Sequence, residues 1–115
     1  MREPARDKGR LEDILQAIDY AKQFSANVTF DEFIKDKWTY FAVVKNVEII
    51  GEAAYMLSTE FKEQHTELPW KVIINMRHVL VHGYMSIMPE MLWQTVQEDL
   101  DPLKIQVQRY LEEME

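Results

Sequence analysis

Cysteine is absent from the 115 residues, which excludes disulfide scaffolds and thiolate metal sites and fits a reducing compartment. Glycine and proline are scarce, at three and four. All-β domains need many tight turns, so the shortage points to helices. No apolar run approaches the roughly 18 residues that span a bilayer. The opening MREPARDKGR is charged where a secretory leader needs an apolar stretch. The expectation is a cytoplasmic chain with no membrane partner. Basic residues are outnumbered, 13 Lys and Arg against 20 Asp and Glu, for a net charge of −7. Affinity for a polyanion comes mainly from many Lys and Arg contacts to phosphate, which argues against a broad nucleic-acid-binding surface. There is no internal repeat or low-complexity segment, and the length suits one domain, residues 1–115, with a single core.

What the chain does have is helical periodicity. From about Asp7 to Ser25, the residues Leu11, Ile14, Leu15, Ile18, Ala21 and Phe24 recur at three-and-four spacing, with Glu12, Asp13, Gln16, Asp19 and Gln23 opposite. Thr29 stands three residues before Glu32, the form of a capping box, so a second helix is expected near Phe30. Its stripe runs through Phe33, Ile34, Trp38, Phe41, Val44, Val47, Ile50, Ala54 and Leu57, long enough that a bend is expected around Asp36 to Thr39. Gly51 sits in mid-helix at a cost of about 1 kcal/mol relative to Ala, which implies close approach of another backbone. Residues 58–68 read as a polar connection anchored by Phe61, with His65 an ordinary surface histidine. Pro89 opens a last helix with the stripe Leu92, Val96, Leu100, Leu103, Val107 and Leu111. The stripe keeps its phase across Pro102, so a kinked helix or two collinear ones are expected there, not a turn. Met56, Met76, Met91 and Trp93 lie at or near stripe positions and read as core or subunit-contact residues. The sum is an all-α, mostly antiparallel bundle with short connections.

The least ordinary residues gather in WKVIINMRHVLVHGY, Trp70 to Tyr84. Pro69 suits a first helical position and Gly83 a left-handed stop, predicting one helix over 69–82 that packs through Val72, Ile73, Met76, Val79 and Leu80. His78 and His82, four apart, share a face; Arg77 and His82, five apart, are separated by roughly 140° around the axis. A long Arg side chain or a second copy of the helix closes that gap. Zinc between His78 and His82 is a poor reading, because two ligands are too few and Val79 stands where zinc proteases place a Glu. No metal or cofactor is therefore expected. Metal-free acid–base chemistry needs a group that takes a proton and one that gives it, and an anionic centre needs fixed donors. Histidine serves as base and acid near neutral pH, and arginine offers a permanently charged fork to phosphate. The competing reading has Arg77 in a salt bridge with Glu52 or Glu48 while His82 caps its helix.

Arg77, four residues, His82, one residue, Tyr84, with His78 as the polar residue after the Arg, resembles the signature of the HEPN superfamily, specifically the HepT-like toxins. The run IIGEAA, Ile49 to Ala54, preceded by Lys45 and Asn46, matches the Ile-Gly-Glu-Ala run such proteins carry, and the likeness extends from about Leu11 to Leu111. The resemblance implies a four- to five-helix HEPN-like bundle, a short helical turn before the long second helix, and a two-fold homodimer in which two motif helices face each other. It also implies a metal-independent endoribonuclease with Arg77 and His82 as catalytic residues and His78, Glu52 and Asn46 supporting the cleft. Glu52 either faces a basic residue on the motif helix or is a solvated carboxylate. Tyr84 corresponds to the tyrosine onto which a partner nucleotidyltransferase of the MNT type, the antitoxin of a type VII-like pair, transfers AMP. A homodimer carries 2 × −7 = −14, so any RNA site has to be a local basic cleft, with Arg77, His78, His82, Lys71 and Lys45 available to build it. The alternative is a non-catalytic helical subunit that binds a nucleotide or a nucleotidyltransferase through the same surface.

Overall fold

A computed structural model of the chain describes residues 4–78 and 89–114. Among these residues every regular element is helical: a 3-10 turn at Pro4–Arg6, then α1 (Asp7–Ser25), α2 (Phe30–Lys35), α3 (Lys37–Met56), α4 (Thr59–Gln64), α5 (Trp70–Asn75), α6 (Pro89–Gln94), a π-helical turn at Thr95–Asp99, and α7 (Leu100–Glu113). The all-α expectation holds.

The main packing is α1 against α3, with α7 closing on α1 and α5 lying on α3. Leu11, Ile14, Ile18 and Ala21 of α1 are fully buried against Val43, Val44, Val47 and Ile50 of α3 in one apolar core. Phe24 does not continue the stripe: it is 43% exposed and stacks on Tyr20, while Ser25 turns inward and donates from Oγ to the Ala21 carbonyl at 2.8 Å.

The capping box forms in both directions: Thr29 Oγ1 accepts from the Glu32 N–H (3.1 Å) and the Thr29 N–H donates to Glu32 Oε1 (2.8 Å). The expected bend falls at Asp36, which leaves the helical conformation and caps α3, accepting from the Thr39 N–H at 3.3 Å and the Thr39 hydroxyl at 2.8 Å. Those hydrogen bonds hold its carboxyl below the usual range. Counted at about 100° per residue, the buried face of α3 through Val44, Val47 and Ile50 includes Tyr40 and Val43, while Trp38 and Phe41 lie about 120–180° from its centre. Tyr40 and Val43 turn inward, whereas Trp38 is 90% and Phe41 53% exposed, so these two leave the buried stripe in which they were expected.

The expected polar connection contains a helix of its own, α4. Ser58 caps it, its Oγ accepting from the Phe61 N–H at 3.1 Å. The same hydroxyl donates to buried Asp7 at 2.7 Å, and the Ser58 N–H donates to the other carboxylate oxygen at 2.8 Å, tying the start of α1 to the start of α4. His65 is not an ordinary surface histidine either, being half-buried. It stacks on Phe61 with ring centres 4.0 Å apart, meets Tyr110 edge-on at 4.8 Å, and donates from Nδ1 to the Phe61 carbonyl at 2.8 Å.

The last helix runs without a turn, its two α segments joined by the π-helical turn, and Leu92, Val96, Leu100, Leu103 and Val107 are buried throughout. Pro102 has no N–H to continue the ladder, and just before it the Leu100 N–H reaches back to the Thr95 carbonyl, five residues away. That wider turn displaces Leu100 from its α-helical acceptor, the Val96 carbonyl, to which Lys22 of α1 donates at 3.1 Å while also pairing with Asp101.

Candidate functional site

The site begins with a glycine. A Cβ at Gly51 would lie 2.8 Å from the Met76 carbonyl carbon and 2.9 Å from Arg77 Cα, and closer still to the Arg77 nitrogen. The close approach expected at Gly51 is therefore real, and the segment that approaches carries Arg77. The expected helix 69–82 is interrupted: α5 starts at Trp70 with Pro69 before it and ends at Asn75, His78 is helical again, and the remainder of the expected helix, with Val79 and Leu80, lies outside the described residues. Met76 and Arg77 follow in a tightened turn, with Met76 N–H to Ile73 carbonyl at 3.0 Å and Arg77 N–H to Ile74 carbonyl at 3.1 Å. This turn is what lies against the side-chain-free surface at Gly51. Trp70 and Ile73 anchor α5 in the core, Trp70 Nε1 donating to the His65 carbonyl at 2.6 Å, whereas Val72 is 62% exposed and packs against nothing central.

The Arg77 side chain is half-buried, and its Cζ sits 3.8 Å above the centre of the Tyr55 ring. Nε donates to Nε2 of His78, also half-buried, at 3.5 Å. The competing salt bridge does not form. Glu48 pairs with Lys45 at 2.8 Å, and Glu52 is exposed. Among the described residues no carboxylate pairs with Arg77. A guanidinium held against a ring, with its Nη donors not committed to a carboxylate, can receive an anion such as a phosphate.

The other candidates are distributed unevenly. Asn46 is buried and its Nδ2 donates to the Ala42 carbonyl at 2.8 Å on its own helix. It lies about 180° around α3 from Tyr55, so the fold does not bring it to Arg77. Lys71 is exposed, and Lys45 is engaged with Glu48. His82 and Tyr84 lie outside the described residues.

Residues 14–110 match the family model described as Ribonuclease HepT-like. The chain belongs to the HepT-like family. It is 42% identical over 97 residues, 84% of this chain and 88% of the relative, to a protein named probable ribonuclease HepT from Thermococcus cleftensis. It is 35% identical over 101 residues to a protein of Methanocaldococcus jannaschii whose name marks it as a candidate RNase, with 88% of this chain and 93% of that one covered. A similarly named protein of Caldanaerobacter subterraneus is 36% identical over 102 residues, 89% of this chain and 91% of the relative. No solved structure matches at comparable stringency. In this HepT-like chain the residue that sequence reasoning passed over is Tyr55. Its signal was available: it stands four residues after Gly51, hence on the face of α3 that admits the Arg77 backbone.

Proposed function

We propose that this HepT-like chain is the toxin of a toxin–antitoxin pair, a metal-independent endoribonuclease whose site is completed by two copies across a two-fold axis. The observation that carries the reading is Arg77: a half-buried guanidinium placed over Tyr55 with no carboxylate partner among the described residues, at the head of the Arg-x4-His motif. In the proposed reaction His82 takes the proton from a 2′-hydroxyl, and the oxygen attacks the adjacent phosphorus. The bond to the 5′ oxygen breaks, and a second imidazole protonates that oxygen, leaving a cyclic phosphate and a 5′-hydroxyl. Arg77 stabilises the charge gathering on the non-bridging oxygens. His78 orients Arg77 through the Nε contact. Two copies supply both an acid and a base to one cleft, which is why the dimer belongs to the mechanism. The outward face of α3 supports a second copy, since it exposes Trp38 and Phe41.

Tyr84, two residues beyond His82, is the proposed acceptor of AMP from a nucleotidyltransferase antitoxin. A bulky anion there would compete with substrate phosphate for the same donors. Among the described residues no helix is long and apolar enough to cross a membrane.

The decisive experiment incubates purified protein with RNA in EDTA. Cleavage that persists in the wild type, disappears in His82→Ala and falls to a small but measurable rate in Arg77→Ala, with folding unchanged, is expected. The net charge of −7 favours one rival, a non-catalytic subunit that binds a nucleotidyltransferase. Absence of cleavage on every RNA class tried would leave that rival standing. For the modification, intact mass after co-expression with the antitoxin should show an AMP-sized increment on the peptide containing Tyr84, and its absence removes that part of the proposal.

A further inference from the structure

We propose that Tyr55 is a positioning residue for Arg77, holding the guanidinium by its face so that its edge donors stay directed at an RNA phosphate. The inference rests on the ribonuclease reading above. Gly51 and Tyr55 are one helical turn apart on α3. The first admits the Met76–Arg77 backbone and the second receives the Arg77 side chain, with Cζ 3.8 Å from the ring centre. One helix thus grips Arg77 at both ends.

The chemistry of the grip matters. A chain with 20 acidic residues had carboxylates to spare, and any of them beside Arg77 would compete with phosphate for the same N–H fork. An aromatic ring attracts the cation through its π face and uses none of those donors. Nε is already directed at His78, which leaves the Nη groups as the substrate-facing edge. A free arginine side chain would lose rotamer freedom on meeting the phosphate. One already stacked loses less, and the difference is felt most where geometry is tightest, in the transition state.

The test compares wild type, Tyr55→Phe, Tyr55→Leu, Arg77→Ala and the Tyr55→Leu/Arg77→Ala double variant in EDTA on one RNA oligonucleotide. Tyr55→Phe keeps the ring and should stay within about twofold of wild type, whereas Tyr55→Leu should lower kcat about tenfold with little change in KM. In the Arg77→Ala background Tyr55→Leu should have no further effect, because its role runs through that side chain. Losses that multiply in the double variant, or a Tyr55→Leu enzyme with full kcat, overturn the proposal. If Tyr55→Leu fails to fold, Tyr55→Gln is read in the same way. Independent of turnover, the Arg77 Nε–H resonance, assigned by its loss in Arg77→Ala, should carry a ring-current shift that survives Tyr55→Phe and vanishes in Tyr55→Leu; a resonance unmoved in Tyr55→Leu refutes the contact. A wild type that cuts no RNA sinks the nuclease reading alone. Tyr55 is then judged by the same double-variant cycle on binding of an uncleavable 2′-O-methyl RNA, where coupling supports it and additivity overturns it.

Discussion

A single methyl group at position 51 measures how tightly α3 is joined to the end of α5. The atoms it would meet are backbone atoms of Met76 and Arg77, at 2.8 and 2.9 Å for two of them, and these cannot rotate aside as a side chain can. Alanine gains up to about 1 kcal/mol in helix propensity over glycine, but forcing two backbones apart costs more, so a net loss of about 1–2 kcal/mol is expected for Gly51→Ala. Gly9→Ala is the matched control: nothing lies within 4 Å of its added Cβ in α1, and a gain of about 0.5–1 kcal/mol is expected. Urea denaturation should move the two midpoints in opposite directions. A Gly51→Ala midpoint at or above wild type would mean the helices are not in close contact. Tyr110 offers a test by pH. Burial, and then the hydrogen bond from its hydroxyl to Glu67 Oε1 at 2.7 Å, raise its pKa well above the ordinary 10.0, while the same bond lowers that of Glu67 from 4.5. A raised Tyr pKa contributes stability that is complete below pH 10 and is lost as pH climbs past it; a lowered Glu pKa contributes stability present above 4.5 and lost as pH falls. Wild type should therefore lose melting temperature faster than Tyr110→Phe between pH 10 and 11. Parallel curves would show that the hydroxyl contributes nothing there.

Elements whose ends are coded by neighbouring residues were legible in the chain; which residues meet across elements was not, and Gly51 announced a close approach without naming its partner. Thr29 with Glu32, Asp36 at the break, and Pro102 just after the π-helical turn act over a few residues, so the local sequence located them. The link from Asp7 to Ser58 spans 51 positions, and no local pattern announces it. Asp7→Ala leaves the buried Ser58 N–H without its acceptor and removes the hydroxyl's partner, for an expected loss of about 1–3 kcal/mol. A urea midpoint unchanged by Asp7→Ala would show that water replaces the carboxylate without penalty. Trp38 and Phe41 were placed in the core because large apolar residues were counted into the stripe, although at about 100° per residue they lie about 120–180° around α3 from its buried centre. His65 was read from its polar sequence neighbours, when what surrounds it is Phe61 and Tyr110. The same division holds at the site: Gly51 and Arg77 were legible separately, as a glycine out of place and a motif arginine, but the Tyr55 ring between them needed the fold.

At the scale of the whole molecule, charge and apolar exposure oppose each other. Two copies bring together −7 and −7, which repel at low ionic strength. The outward face of α3 offers Trp38, 90% exposed, and Phe41, 53% exposed, to overcome that repulsion, and Trp is among the side chains that dominate interface energetics. Around the helix, Trp38, Phe41 and Tyr55 fall within a sector of roughly 100°, with Phe41 and Tyr55 about 21 Å apart along it, so a mate in the proposed dimer that lies along this side of α3 faces the side on which Tyr55 holds Arg77. Salt should act in opposite senses on the two associations. Screening should tighten the dimer of acidic chains, while RNA binding, which releases counterions, should weaken. Sedimentation equilibrium should give 2 × 13.7 = 27.4 kDa for wild type, moving toward the single-chain mass in Trp38→Glu/Phe41→Glu with helical circular dichroism retained. Cleavage should disappear with the dimer. A Trp38→Glu/Phe41→Glu variant that sediments as one chain and still cuts RNA at the wild-type rate would mean that a single copy holds the whole site.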